Sequence, residues 1–384
     1  MNRYTQADEE KIRTHALVRE WTRSGLLDES QNDRIEAELR VDLRRTNHFL
    51  RAVLFVFTCL IVAASITLII TTLDLDDKIP LATTCFAAAV ACYGLSEYVI
   101  NRFRVYRFGG EEALAVCAVL LTSIGAIAIN DTIGGSRTVE FPIMIGLSVG
   151  TAGALAIYRR FGYLYAALVS MLCAAALPFQ FHLSIQMERS IVVSILLLIF
   201  LIARSGRLSH GDNFPGDDYA VIQAAAAAGI YLALNLQLTS TQTTGAFYWL
   251  TYGLTWLIPM LALSMSFRGK DRSLLDVSLG MALATLVTNK PYLGLSRQPW
   301  DPILFGVLLI VVAITVRRWL SKGSGGQRYG FSSARILTGD RRLLTFAGTA
   351  SVVLQSDIPE HASTPAKPEF GGGRSGGAGA SGSF

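Results

Sequence analysis

Polar and apolar positions fall into long blocks along this chain. Residues 1–48 are mostly polar, with apolar positions at helical spacing. From Phe49 onward, nearly uncharged apolar runs of roughly 16–24 residues alternate with short polar connections, a length that suits a hydrocarbon core about 30 Å thick. The runs fall at 49–72, 79–100, 112–130, 139–158, 161–179, 189–203, 219–237, 246–266, 274–289 and 302–316. Stretches such as "IVVSILLLIFLIA" and "ILFGVLLIVVAITV" hold no charge at all, 219–237 is built on alanine, and 274–289 is short and contains Asp276. The pattern predicts an all-α fold: a polytopic membrane helical bundle of about ten transmembrane helices over 49–316, preceded by a short helical hairpin over 1–48.

The hairpin follows from its own residues. Ile12, Ala16, Leu17 and Trp21 recur at helical spacing over about 5–23. Gly25 is a natural helix-ending residue because it accepts the left-handed conformation. Asp28 can cap a second helix, with Gln31 three residues on as a variant of the capping box. That helix is expected over about 29–45, presenting Ile35 and Leu39 on one face and closing on the first helix around Leu26 and Leu27. A unit of fewer than about 40 residues rarely holds together unaided, so the hairpin is expected to need the membrane surface, the bundle or a partner. Trp21, Gly25, Leu26, Leu27, Gln31 and Ile35 form its candidate interaction surface; a solvated lead-in to the first span is the alternative.

Charge sets the orientation. Alternate loops hold Arg102, Arg104 and Arg107, then Arg159 and Arg160, then Arg204 and Arg207, then Arg268, Lys270 and Arg272. The other set holds only Lys78, Arg137, Arg189, Lys290 and Arg297. The richer set shares a side with Arg44, Arg45 and Arg51 and with Arg317, Arg318 and Lys322. Lys and Arg are retained on the cytoplasmic side. Both termini are therefore expected in the cytoplasm, which an even number of spans also requires, with the bundle in the cell inner membrane. No secretory leader is expected, because the first apolar run starts too far in and is too long.

Composition narrows the class. The chain has 384 residues, of which 51% are hydrophobic and 16% charged, against about a quarter charged in soluble domains. One large soluble core is excluded. A net charge of +5 reads as basic loops on one membrane face, with no basic stripe to imply a nucleic-acid partner. Cys59, Cys85, Cys92, Cys117 and Cys173 all lie in apolar runs without a CxxC pair and read as small hydrophobes. Small residues at Gly146, Gly150 and Gly153, at Ala224 to Gly229, and at Gly280 and Ala284 allow close helix approach, for bundle packing or for a dimer face.

No catalytic or cofactor-binding constellation emerges. His15, His48, His182, His210 and His361 fall in separate segments, and no HExxH, phosphate loop or G-x-S-x-G elbow occurs; no metal, cofactor or enzymatic activity is expected. Ionisable residues inside spans are the better functional pointer. Glu97, Glu140 and Asp276 all lie near span ends, where interface anchoring or pairing with arginine is expected. If the chain transports a weakly polar or lipid-like solute, Glu97, Gln223, Asn235 and Asp276 should converge on one cavity. Pro259 lies deep enough in its span to kink it. In the loop "NKPYLGLSRQPWDP", Tyr292 and Trp300 suit an aromatic belt.

After Val316 the composition shifts. Residues 317–355 read as a cytoplasmic or interfacial segment with one amphipathic helix at about 340–355, either interfacial or a further span. Residues 356–384 are rich in Gly, Ser and Pro and are expected to be disordered, ending at Phe384.

Two resemblances bear on this chain. "VREWTRSGLLDESQNDRIEAEL" followed by a long series of spans resembles an uncharacterised bacterial multi-pass membrane protein family, a domain of unknown function in which a "W…GLI…Q…I" hairpin precedes the membrane region. Leu27 stands where that family usually has isoleucine. The resemblance implies architecture and location, not activity. The ending "FGGGRSGGAGASGSF" is similar to the Gly-rich tails of membrane proteins with a TPM domain, although no such domain is present; it implies a shared partner, with a plain flexible tail as the alternative. The expected partners are therefore the lipid bilayer and a protein engaged through the hairpin or the tail, and the oligomeric state is left open.

Overall fold

The computed structural model describes residues 6–332 apart from 24–26, 40, 42, 45, 76, 134–139, 211–213, 240–244, 270, 296–297, 299, 323–326 and 329–330. The expected helix at 340–355, the tail at 356–384 and the hairpin residues Gly25 and Leu26 lie outside the described residues. The architecture is helical. The hairpin comprises α1 (Gln6–Arg23) and α2 (Glu29–Glu38). The bundle comprises α3 (His48–Thr72), α4 (Lys78–Phe103), α5 (Gly110–Ile133), α6 (Glu140–Phe161), α7 (Leu164–Ala176, continued by a 3-10 turn to Gln180), α8 (Ile185–His210), α9 (Phe214–Leu234), α10 (Ala246–Gly269), α11 (Arg272–Tyr292) and α12 (Asp301–Ser321). Beyond α12, β1 (Gln327–Arg328) and β2 (Phe331–Ser332) form a minimal antiparallel pair.

Each of the ten apolar runs corresponds to one of α3–α12. Six of these helices, α3, α4, α5, α6, α8 and α10, are long and apolar enough to cross a membrane, while α7 and α9 carry shorter apolar stretches. The outward faces carry large exposed apolar side chains throughout, including Phe57, Leu60, Leu198, Ile202, Leu261 and Ile310. A belt of that extent is not tolerated in water and matches a lipid environment.

Packing follows chain order. Helix α5 lies between α4 and α6 and also receives α3, while α8 packs along α9, and α10 and α9 both pack on α11. Helix α7 joins the two groups by touching α6, α8 and α9. Small residues set these distances inside the chain: Gly229 of α9 faces the Leu196 side chain of α8 so closely that a Cβ would stand 2.9 Å from it. At this position the small residue serves the packing of the bundle itself.

Helix α2 stops at Glu38, about seven residues before the expected end near 45. The reason is a competing backbone interaction. The Arg44 N–H donates to the Arg104 carbonyl at 2.9 Å, and the Tyr106 N–H donates to the Arg44 carbonyl at 3.0 Å. The connection must be extended to make that bridge, so it cannot remain helical. It then re-enters a helix at α3, where the Asn47 side chain caps the Leu50 N–H at 2.7 Å.

The α4–α5 turn fits under α3 through Gly109. Its φ is +107°, and a Cβ there would stand 2.2 Å from the Arg51 carbonyl oxygen. A side chain meets both a disfavoured backbone conformation and fixed backbone. Gly109→Ala is expected to cost about 1–3 kcal/mol. It should lower the thermal midpoint of the purified protein measurably, while Gly110→Ala, where the nearest atom is 3.5 Å away, should leave it nearly unchanged.

Candidate functional site

The four polar positions picked out from the sequence do not share a cavity. Glu97 on α4 accepts from Arg160 Nε of α6 at 2.5 Å and from the Tyr93 hydroxyl at 3.3 Å. Asp276 is 59% exposed and lies 3.9 Å from Arg272, one turn back. Both therefore sit near span ends with arginine partners. Gln223 and Asn235 are both buried on or beside α9, but twelve residues of helix separate them by about 18 Å. The side chain of Glu140 lies outside the described residues.

Asn235 instead opens a hydrogen-bonded chain through three helices. Its Nδ2 donates to the Tyr231 hydroxyl at 2.9 Å and to Thr288 Oγ1 at 3.0 Å. Tyr231 meets Thr285 Oγ1 at 2.9 Å, and Thr285 Oγ1 lies 2.8 Å from the Thr255 carbonyl oxygen. Thr255 is four residues before Pro259, which sits inside α10. Proline has no N–H, so the Thr255 carbonyl has lost its helical donor. A hydroxyl from α11 fills that place, and α9 supports the hydroxyl in turn.

The C-terminus of α9 is finished in the same way. Its last carbonyls have no intrahelical donor. Arg189 Nη1 of α8 donates to Ala233 O at 3.0 Å, and the Tyr292 hydroxyl of α11 donates to Leu234 O at 3.3 Å while accepting from Leu236 N at 2.7 Å. Tyr292 is 3% exposed; it serves the interior rather than the aromatic belt expected of it, because its hydroxyl is the group that closes this helix end. Trp300, by contrast, is exposed, with Lys290 Nζ over its ring at 5.4 Å. Arg189 read as a plain loop charge in the sequence. Nothing in the local pattern distinguished it, since its target is a backbone atom on another helix.

A second cluster sits at the hairpin end of the bundle. Arg51 of α3 makes a two-pronged ion pair with Glu112 of α5, at 2.8 Å and 2.5 Å. Glu111, 1% exposed, accepts from the Phe108 N–H at 2.6 Å through one oxygen, while its Oε2 is buried without a hydrogen-bond partner. Phe161, Tyr163 and Tyr165 stack in series, with ring centroids 5.5 Å apart at each step. Sequence reasoning passed over Glu111 and Glu112 because they stand at the very start of a run and look like boundary charges; the adjacent Gly109–Gly110 pair was the available signal for a close approach there.

Helix α1 roofs this cluster. Val18 is buried, and Ile12 packs against the core formed by Ile100, Val105, Tyr106, Phe161 and Tyr163. Glu9 is 5% exposed and faces the Tyr106 hydroxyl at 3.5 Å, with Arg107 and Asp218 close enough to act on it electrostatically. Helix α2 buries none of its described residues. It is held to α1 by Arg19 Nε donating to Glu36 at 3.1 Å, and its first turn by Gln31 Oε1 accepting from the Asp28 N–H at 3.0 Å. Trp21, Gln31 and most of the α2 surface face outward, with Leu27 and Ile35 half-buried.

No family model, curated protein or solved structure matches the chain. The functional reading therefore rests on the geometry above.

Two outcomes test these arrangements. Thr285→Val removes the hydroxyl that serves the Thr255 carbonyl at constant shape and is expected to cost about 1–2 kcal/mol. Pro259→Ala returns a backbone donor to that carbonyl, so in its background Thr285→Val should lose less than half as much, measured as unfolding midpoints of the four variants. Glu9 is pushed up to about 7, first by desolvation, then by Asp218, with Arg107 opposing. A carboxyl raised on docking favours the docked state when protonated. Docking is thus fully supported below about pH 4.5 and weakens as pH rises through about 7. Hydrogen exchange of α1 should accelerate over that range, and Glu9→Gln should flatten the dependence.

Proposed function

We propose that this chain is an integral protein of a bacterial inner membrane that spans it ten times, keeps both termini in the cytoplasm, and acts by recruiting a protein partner rather than by catalysis. The single observation behind this reading is the division of labour in the hairpin. Helix α1 is spent on the bundle, through Val18, Ile12 and Glu9. Helix α2 is presented to solvent with nothing buried. A helix carried at one end of the bundle with an exposed surface is the form of a docking platform, and exposed Trp21 supplies the kind of side chain that anchors interfaces. This fits the architecture implied by the resemblance to the domain-of-unknown-function family; the separate resemblance of the tail to those of TPM-domain membrane proteins implies a shared partner at the C-terminal side.

The topology rests on the ten helices and on charge. With ten crossings, the ends of α4, α6, α8 and α10 that carry Arg102, Arg160, Arg207 and Arg268 fall on one side together with the 104–107 loop that the hairpin linker joins, the side that the positive-inside rule assigns to the cytoplasm. A transporter of a weakly polar solute is the second reading. It is disfavoured because, among the described residues, Glu97 and Asp276 pair with arginines near helix ends, Asn235 is consumed in tying helices together, and buried Gln223 stands apart from all three, not in a converged polar pathway of the kind ion-coupled transport uses.

In-cell crosslinking followed by capture of the full chain checks the proposal. Trp21→Ala combined with Arg34→Glu, both on the exposed hairpin surface, is expected to reduce captured partner at least tenfold with the membrane-fraction yield unchanged. An identical partner profile would remove recruitment by the hairpin. A reporter fused to either end that proved periplasmic would remove the topology.

A further inference from the structure

Helices α4 and α6 flank α5 and leave a window between them at the level of the bundle. It is an apolar groove of about 600 Å³, lined by Phe86, Val90 and Tyr93 of α4, by Val119 of α5, and by Val149 and Ala156 of α6. Apart from Thr122 and Ile157, the remaining lining positions are the small residues Ala89, Ala118, Ala152 and Gly153, which leave the walls open. At the hairpin end the window is clasped by the Glu97–Arg160 ion pair, which ties α4 to α6. Tyr93 marks that boundary: its ring lines the groove and its hydroxyl donates to Glu97 at 3.3 Å. Immediately beyond the clasp, Arg159 and Arg102 are exposed.

We propose that this window holds one acyl chain of an anionic phospholipid, with its head group at Arg159 and Arg102. The inference rests on the membrane reading given above and adds a ligand to it. Three features of the groove select this occupant. Its lining is apolar apart from Tyr93 and Thr122, which excludes a polar solute. Its volume falls within the range of pockets that enclose a small ligand. The groove runs about 12 Å from Val149 to Ile157 and is open along one side, a shape that suits one extended acyl chain. The charge arrangement then orients the lipid. Arg160 is neutralised by Glu97, whereas Arg159 and Arg102, exposed beyond it near the ends of α6 and α4, are of the sign that attracts an anionic head group.

The test uses the full chain extracted from membranes in mild detergent. Native mass spectrometry should show one anionic phospholipid retained per chain after delipidating washes. Ala156→Phe, which fills the groove from an exposed position on its rim, should lower that retention at least fivefold. Arg159→Gln should weaken it and erase the preference for anionic over zwitterionic lipid. Because the phenylalanine could disturb packing, a second measurement uses the unaltered protein with an anionic lipid bearing a photoreactive group on its acyl chain. Crosslinks concentrated on Phe86, Val90 and Val149 support the proposal. Crosslinks spread evenly around the apolar belt, retention unaffected by Ala156→Phe, or a groove crosslinked to a second copy of the chain would each overturn it. A chain recovered without detergent would instead sink the membrane reading itself.

Discussion

Backbone polar groups released inside an apolar bundle have no water to turn to, and this constraint organises the half of the molecule built on α8–α11. Pro259 removes one donor from α10, and the end of α9 exposes several carbonyls. Each would cost several kcal/mol if left bare in hydrocarbon. The chain meets the demand with side chains borrowed from neighbouring helices: Thr285 for Thr255, Arg189 for Ala233 and Tyr292 for Leu234. Because each donor comes from another helix, satisfying the backbone also fixes how the helices lie together. Buried polarity here ties the helices of the bundle together.

The other group of helices, α3–α7, is organised at one end by charge. Arg51 and Glu112 bind α3 to α5, Glu97 and Arg160 bind α4 to α6, and the Arg44–Val105 bridge ties the hairpin linker to the α4–α5 turn. Glu112 is buried while Arg51 and Arg160 stay partly exposed, so each carboxylate is met by an arginine that reaches it from the more exposed side. Glu9 is held differently. It is enclosed by the docked α1, and that enclosure raises its carboxyl to about 7, so that it is about half protonated at neutral pH. The hairpin is thereby attached by apolar contact and a titratable group together, a weaker and more adjustable union than the ion pairs beneath it.

A partner-recruiting role and a lipid-filled window are compatible on this frame. The hairpin occupies the end where the arginines gather, and the window opens sideways between α4 and α6 just inside that same end. An anionic head group at Arg159 would lie on the same face of the membrane as α2, so a recruited partner and a bound lipid would be neighbours.

Helix identity was legible from the chain alone, because an apolar run long enough to span hydrocarbon has one way to satisfy its backbone. The ten runs correspond to ten helices, and Asp28 and Gln31 marked the start of the second hairpin helix. Whether a run is long enough to cross by itself was less legible: six helices meet that standard, while α7 and α9 are short and α11 carries Asp276 and buried hydroxyls. The roles of polar residues belonged to the tertiary structure. Asn235, Pro259 and Tyr292 are visible in the sequence, yet Asn235 and Pro259 are linked only through Thr285, thirty residues along from the carbonyl it serves. Glu111, Glu112 and Arg189 read as loop charges until packing buried them. Periodicity records which residues share one helix face, whereas hydrogen bonds between helices depend on the rotation and height of each helix against its neighbours, and no local pattern encodes those.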